Sequence, residues 1–168
     1  MAVRPIPRIA TAPPAKQVES FIARFDPAIA RIVRAARSKL RKRYPTAHEL
    51  VYDNYNALAI GYGPNERTSE VFVSVAAYAR GVTLYFTQGR KIADPKGLLQ
   101  GEGNQGAFVR LETAAVLDER AVIALLESAV AFGKTPLATS GRGKTIIKSI
   151  SATQRPRRLP SITRKRAL

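Results

Sequence analysis

The sequence predicts an α+β fold: an antiparallel sheet of about four to five strands with helices packed on one face, flanked by basic flexible tails. Three observations predict it. Apolar residues recur at helical spacing over residues 16–43 and again over 118–133. Between them the period changes to short β-branched runs separated by Gly- and Asn-bearing turns. The charge is also divided. Residues 134–168 hold ten Lys or Arg and no Asp or Glu, and residues 1–16 hold three and none, so most of the net +16 lies outside a near-neutral body at 17–133.

Residues 1–16 carry four of the eleven prolines and read as an extended arm. Lys16 to Phe25 reads as a short helix with Val18, Phe21, Ile22 and Phe25 on one stripe. Asp26-Pro27 starts a second, with Asp as cap and Pro where its missing N–H costs nothing. Ile29, Ile32, Val33, Ala36 and Leu40 carry it to Arg43, and Pro45 stops it. Seven Lys or Arg fill its remaining faces. Strands are expected at Leu50–Tyr52, Ala57–Tyr62, Val71–Ala79, Val82–Thr87 and Phe108–Leu111. Arg80-Gly81 is the expected hairpin turn, with Gly81 at positive φ. Residues 89–106 hold five glycines and read as irregular, with a short helical turn at Pro95–Leu99. Asp118 caps a last helix, Leu117 staples against Val122, and Gly133 ends it. Residues 134–168 read as a basic, disordered tail; the competing reading docks it along the body through Ile146, Ile147 and Ile150.

Several function classes are excluded at once. No cysteine occurs, so disulfides, thiolate catalysis and zinc-thiolate sites are out. No apolar run is long enough for a signal peptide or a membrane span, and the expectation is a cytoplasmic protein without a transmembrane segment. Ala138 to Thr145 ends like a phosphate-binding loop but follows a helix and lies in a Ser/Thr-rich basic stretch. One histidine and no Gly-x-Ser-x-Gly elbow leave serine hydrolysis unsupported. A non-enzymatic protein is expected.

The densest polar cluster is Tyr52, Asp53, Asn54, Tyr55 and Asn56, at a strand break. Its donors and acceptors could hold a small polar ligand, with Asn104 and Gln105 of the glycine-rich loop contributing; the bland reading is a turn. His48, Glu49 and Asp53 offer one nitrogen and two carboxylates, a set that suits iron or manganese better than zinc, although the spacing matches no metal motif. The sheet's second face looks uncharged, with Ala57, Ala59, Gly61, Phe72, Ser74 and Ala76, as a ligand pocket, a homo-oligomer contact or a seat for the C-terminal segment would be. Arg155, Arg157, Arg158, Arg164, Lys165 and Arg166 form the tail's basic clusters. Cationic arms bind nucleic acid or another polyanion through phosphate contacts, and this one has no aromatic for base stacking.

Residues Leu50 to Pro64, Val82 to Gly89 and Pro95 to Asn104 resemble the YdhG-like domain family, a small bacterial α+β domain, across residues 18–132. Some members of that family are called frataxin-like iron chaperones, so the resemblance implies an iron-related role by analogy of fold. The stretch Gly101-Glu-Gly-Asn104 lacks the lysine many relatives carry there, on which an anion role would rest. Two readings follow: a small-ligand or metal-binding module, and a nucleic-acid-associated protein acting through its basic tail and basic helix.

Overall fold

The structure, a computed structural model, describes residues 12–160. Helix α1 spans Pro14–Ala23 and α2 spans Pro27–Arg43. Strands β1 (His48–Asp53), β2 (Leu58–Gly63), β3 (Val73–Tyr78), β4 (Gly81–Phe86) and β5 (Ala107–Arg110) follow, then helix α3 (Arg120–Phe132) and strand β6 (Thr145–Ile150). Short 3-10 turns occur at Thr68–Glu70, Gly89–Lys91 and Ala114–Asp118.

The sheet order is β5-β4-β3-β2-β1-β6. β1 to β5 form an antiparallel meander, and β6 pairs in parallel with β1. After β5, at one edge, the chain passes through α3 before β6 closes the other edge. The alternation of the strands decides what faces the helices. Val51, Ile60, Tyr62, Val75, Leu84 and Phe86 share one face and one core cluster with Val18 and Ile22 of α1, Val33 and Leu40 of α2, and Leu125 and Leu126 of α3. All three helices therefore cover the same side, as the α+β expectation requires.

Five details differ from the sequence reading. Asp118 does not cap α3: the N-cap position falls on Glu119, and Asp118 Oδ2 accepts from Lys39 Nζ at 2.6 Å. The sheet has six strands and is mixed, because β6 adds a parallel strand from the segment read as a disordered tail. Thr145, Ile146 and Ile147 have the β-branched character that an edge needs, and Ile147 packs against the core. The docking alternative holds at Ile146 and Ile147, whereas Ile150 is 54% exposed. The β3–β4 turn is Ala79-Arg80, one residue earlier than expected; Tyr78 pairs with Gly81, which does not take a positive φ. Pro95–Leu99 is not helical; the Asp94 carboxylate instead accepts from the N–H groups of Leu98 and Leu99 at 2.9 Å each. Asp26 occupies the N-cap position of α2, but its side chain accepts from Leu159 N–H at 3.4 Å rather than capping the helix.

Candidate functional site

β1 carries Glu49, Val51 and Asp53 on the helix-facing side, because these three pair with Tyr62, Ile60 and Leu58 of the core. Two carboxylates therefore enter the interior at the ends of one strand. Glu49 is 2% exposed and Asp53 is 1% exposed. A buried carboxylate is stable only with compensating charge and hydrogen bonds, and each has them.

Glu49 receives a two-pronged contact from Arg37 of α2, Nε to Oε2 at 2.8 Å and Nη2 to Oε1 at 3.0 Å. The Tyr62 hydroxyl donates to Oε2 at 2.9 Å and the Thr145 hydroxyl to Oε1 at 2.7 Å. Burial alone would raise the Glu49 pKa, but the Arg37 and Thr145 hydrogen bonds and the Arg37 charge hold it below its ordinary value. Tyr62 moves the other way: burial, then the adjacent Glu49 charge, push its hydroxyl well above the usual phenol range.

Asp53 is met from two sides. Arg157 Nη2 donates to Oδ1 at 2.8 Å and to the Asn54 carbonyl at 2.5 Å. Arg24 Nη1 lies 3.4 Å from Oδ2 and donates to Gln154 Oε1 at 2.6 Å. Arg157 is 4% exposed and stands over the Phe25 ring at 5.6 Å. Its Nε and Nη1 are buried without a hydrogen-bond partner. Arg158 donates to the carbonyls of Arg24 and Ala23 at 3.1 and 3.2 Å, satisfying the end of α1. Arg155 stacks over Tyr55 at 5.7 Å. Arg155, Arg157 and Arg158, expected to meet nucleic acid, are thus folded onto the body; Arg157 is interior, whereas Arg155 and Arg158 are exposed. Arg164, Lys165 and Arg166 lie outside the described residues.

The expected metal set does not assemble. His48 lies on the opposite face of β1 from Glu49 and Asp53, and its Nδ1 accepts from Lys144 N–H at 3.0 Å. Among the described residues no group of three or more His, Cys, Asp or Glu is placed to hold a metal. The iron implied by the resemblance does not fit Glu49 and Asp53, whose oxygens face arginines. The expected polar-ligand set divides as well. Asn54–Asn56 form the β1–β2 turn, with Asn54 N–H donating to Ala57 O at 2.9 Å. Asn104 and Gln105 precede β5, at an edge and at the other end of the sheet; four strand spacings alone separate β5 from β1 by roughly 19 Å. Tyr52 shares a 2.6 Å hydrogen bond with Thr68 on the sheet's second face. That face does carry small residues and tyrosines, with Tyr78 and Tyr85 43% and 40% exposed, but Phe72, assigned to it from the alternation, belongs to the core cluster and packs edge-on to Tyr44 at 5.3 Å, because the chain is irregular before β3 begins at Val73. β6 extends the sheet's edge beside it.

A cleft that the sequence did not reveal lies at the end of the sheet where β2 leaves and β3 begins. It measures about 570 Å³ and runs between residues 64–72, Gln88 and the C-terminal turn of α3. Val71, Phe72, Val130, Phe132 and Leu137 give it apolar walls, with Arg67, Glu70, Lys134 and Thr135 as its polar lining. Phe132 belongs to the apolar stripe of α3 yet is 48% exposed. The Gln88 amide oxygen is buried without a hydrogen-bond partner among the described residues. The Thr135 hydroxyl and Asn65 amide donate to Glu70, and these hydrogen bonds hold its carboxyl below the ordinary value. Arg67 and Lys134 make no side-chain hydrogen bond or ion pair among the described residues.

No family model, curated protein or solved structure matches the chain.

Proposed function

We propose that this chain is a non-enzymatic binding module for a small molecule with an apolar body and one anionic group. The observation that carries this reading is the cleft at α3. Its volume of about 570 Å³ lies within the ligand-pocket range of about 300–1,000 Å³. Apolar walls remove ligand carbon from water, and Arg67 and Lys134 favour an anion over a neutral group. The Gln88 oxygen accepts from a ligand donor at no cost to an existing bond. The metal-binding form of the module finds no donor set at Glu49 and Asp53, since both are held by arginine. The YdhG-like resemblance fits the helix–meander–helix order and adds no ligand.

Thermal denaturation with a panel of aliphatic and aromatic carboxylates tests the reading. A ligand at a hundredfold excess over its Kd stabilises by about 2.7 kcal/mol, a rise of several degrees. The rise should shrink in Phe132→Ala and in Arg67→Ala. If no carboxylate raises the midpoint, or if both variants respond like the parent, the cleft is not the site.

A further inference from the structure

The two basic segments that are far apart in sequence, the end of α2 and residues 142–144, meet in space. Gly143 N–H donates to Pro45 O at 2.9 Å, and Glu49 N–H donates to Lys144 O at 2.8 Å. The approach is close enough that a Cβ on Gly143 would sit 1.7 Å from the Ala47 carbonyl oxygen. A recess of about 350 Å³ results, lined by Arg41, Lys42, Tyr44, Glu49 and Arg142 among others. We propose that this recess binds the phosphoryl group of a small phosphorylated molecule, held by Arg41, Lys42 and Arg142.

Charge supports this first. Among the described residues Glu49 is the one carboxylate in the lining, and its charge is already matched by Arg37 at 2.8 Å. Arg41 stands further off, 3.6 Å from Glu49, with its side chain 44% exposed. The side chains of Lys42 and Arg142 make no ion pair or hydrogen bond among the described residues. Three cations held around one recess repel one another until an anion arrives. Geometry comes second. Guanidinium groups present paired donors that match phosphate oxygens, and here they approach from two separate backbone segments. The C-terminal dipole of α2 opposes an anion, but Arg41, Lys42 and Arg43 in its last turn outweigh a charge of about half a unit. Size argues for a small ligand: the recess is local, whereas a polynucleotide needs a track of phosphate contacts.

No lining residue is shared with the α3 cleft, so the two sites stand or fall separately. The test is calorimetric titration of the full chain with pyrophosphate, and in parallel with a short single-stranded DNA, at about 0.15 M salt. Arg41→Ala/Arg142→Ala is expected to weaken pyrophosphate binding by about tenfold or more. Arg31→Ala/Arg80→Ala, which removes the same charge elsewhere, should change it by less than about twofold. Arg142→Gln alone, which removes none of the hydrogen bonds to Glu49, gives the same direction if the double variant is poorly folded. Absence of saturable pyrophosphate binding, or equal losses in both double variants, overturns the proposal. DNA binding that depends on Arg41 and Arg142 while pyrophosphate does not bind also overturns it.

Discussion

Glu49 shows how one residue ties the molecule together. Its carboxylate joins α2 through Arg37, β2 through Tyr62 and β6 through Thr145. Glu49→Gln leaves Arg37, whose side chain is 11% exposed, without its counter-charge. The expected cost is about 3 kcal/mol, because an uncompensated buried charge remains; denaturant unfolding measures it. Tyr62→Phe should cost about 1 kcal/mol, since Glu49 keeps its other donors. The pH dependence follows from the lowered folded pKa of Glu49. The unfolded chain takes up that proton at a higher pH than the folded one. The stabilisation is complete above the ordinary carboxylate range and disappears as pH falls through and below it. Thermal midpoints recorded between pH 7 and pH 3 should therefore fall, and the fall should be shallower in Glu49→Gln. At the other end of β1, Asp53→Asn and Arg157→Ala should each destabilise and should be strongly non-additive together, as a double-mutant cycle would show. Additive losses would mean that Arg24 alone serves Asp53.

At the scale of elements, β6 and the segment after it close the sheet's edge. An open edge at β1 would present unpaired N–H and C=O groups. β6 covers it, and residues 154–159 tie the same strand to α1 through Gln154, Arg157 and Arg158. A chain ending at Lys144 should lose slow amide exchange in β1, melt at lower temperature and self-associate. Unchanged exchange at Val51 would show that β6 contributes nothing to the edge. Gly143→Ala should reproduce part of that loss, because its Cβ would overlap backbone rather than a flexible side chain. The expected helical turn at Pro95–Leu99 fails for a local reason. Asp94 holds the N–H groups of Leu98 and Leu99 in a side-chain turn, an alternative to helix that Asp readily offers.

For the whole molecule, charge and fold are less separate than their distribution along the chain suggests. Of the tail's ten cations, Arg157 is interior, Arg158 ends α1, and Arg142 stands beside Arg41 and Lys42. Acid should therefore unfold the protein steeply, since 28 Lys and Arg would face no ionised carboxylate. The α+β class, the helix at 27–43 to its last residue, the meander from β1 to β5 and α3 were legible in sequence, because each depends on local periodicity and on breakers such as Pro45. The site was legible only in fragments. Glu49, Val51 and Asp53 share one face of β1, but the strand expected from sequence covered only Leu50–Tyr52, and Leu50 on the opposite face is as apolar and as buried as Val51, so the sequence did not mark the two carboxylates as interior. Which cations meet them, Arg37 twelve residues away or Arg157 over a hundred, no local pattern could specify. The same holds for the strand at 145–150, the cleft beside Phe132 and the meeting of Arg41 with Arg142. Sequence by itself determined the three helices and the five meander strands, because propensity and periodicity act within a few residues. Tertiary structure alone decided the charge partners, the sheet's edge and the recesses, because burial and Coulomb interactions act between segments the chain brings together only on folding.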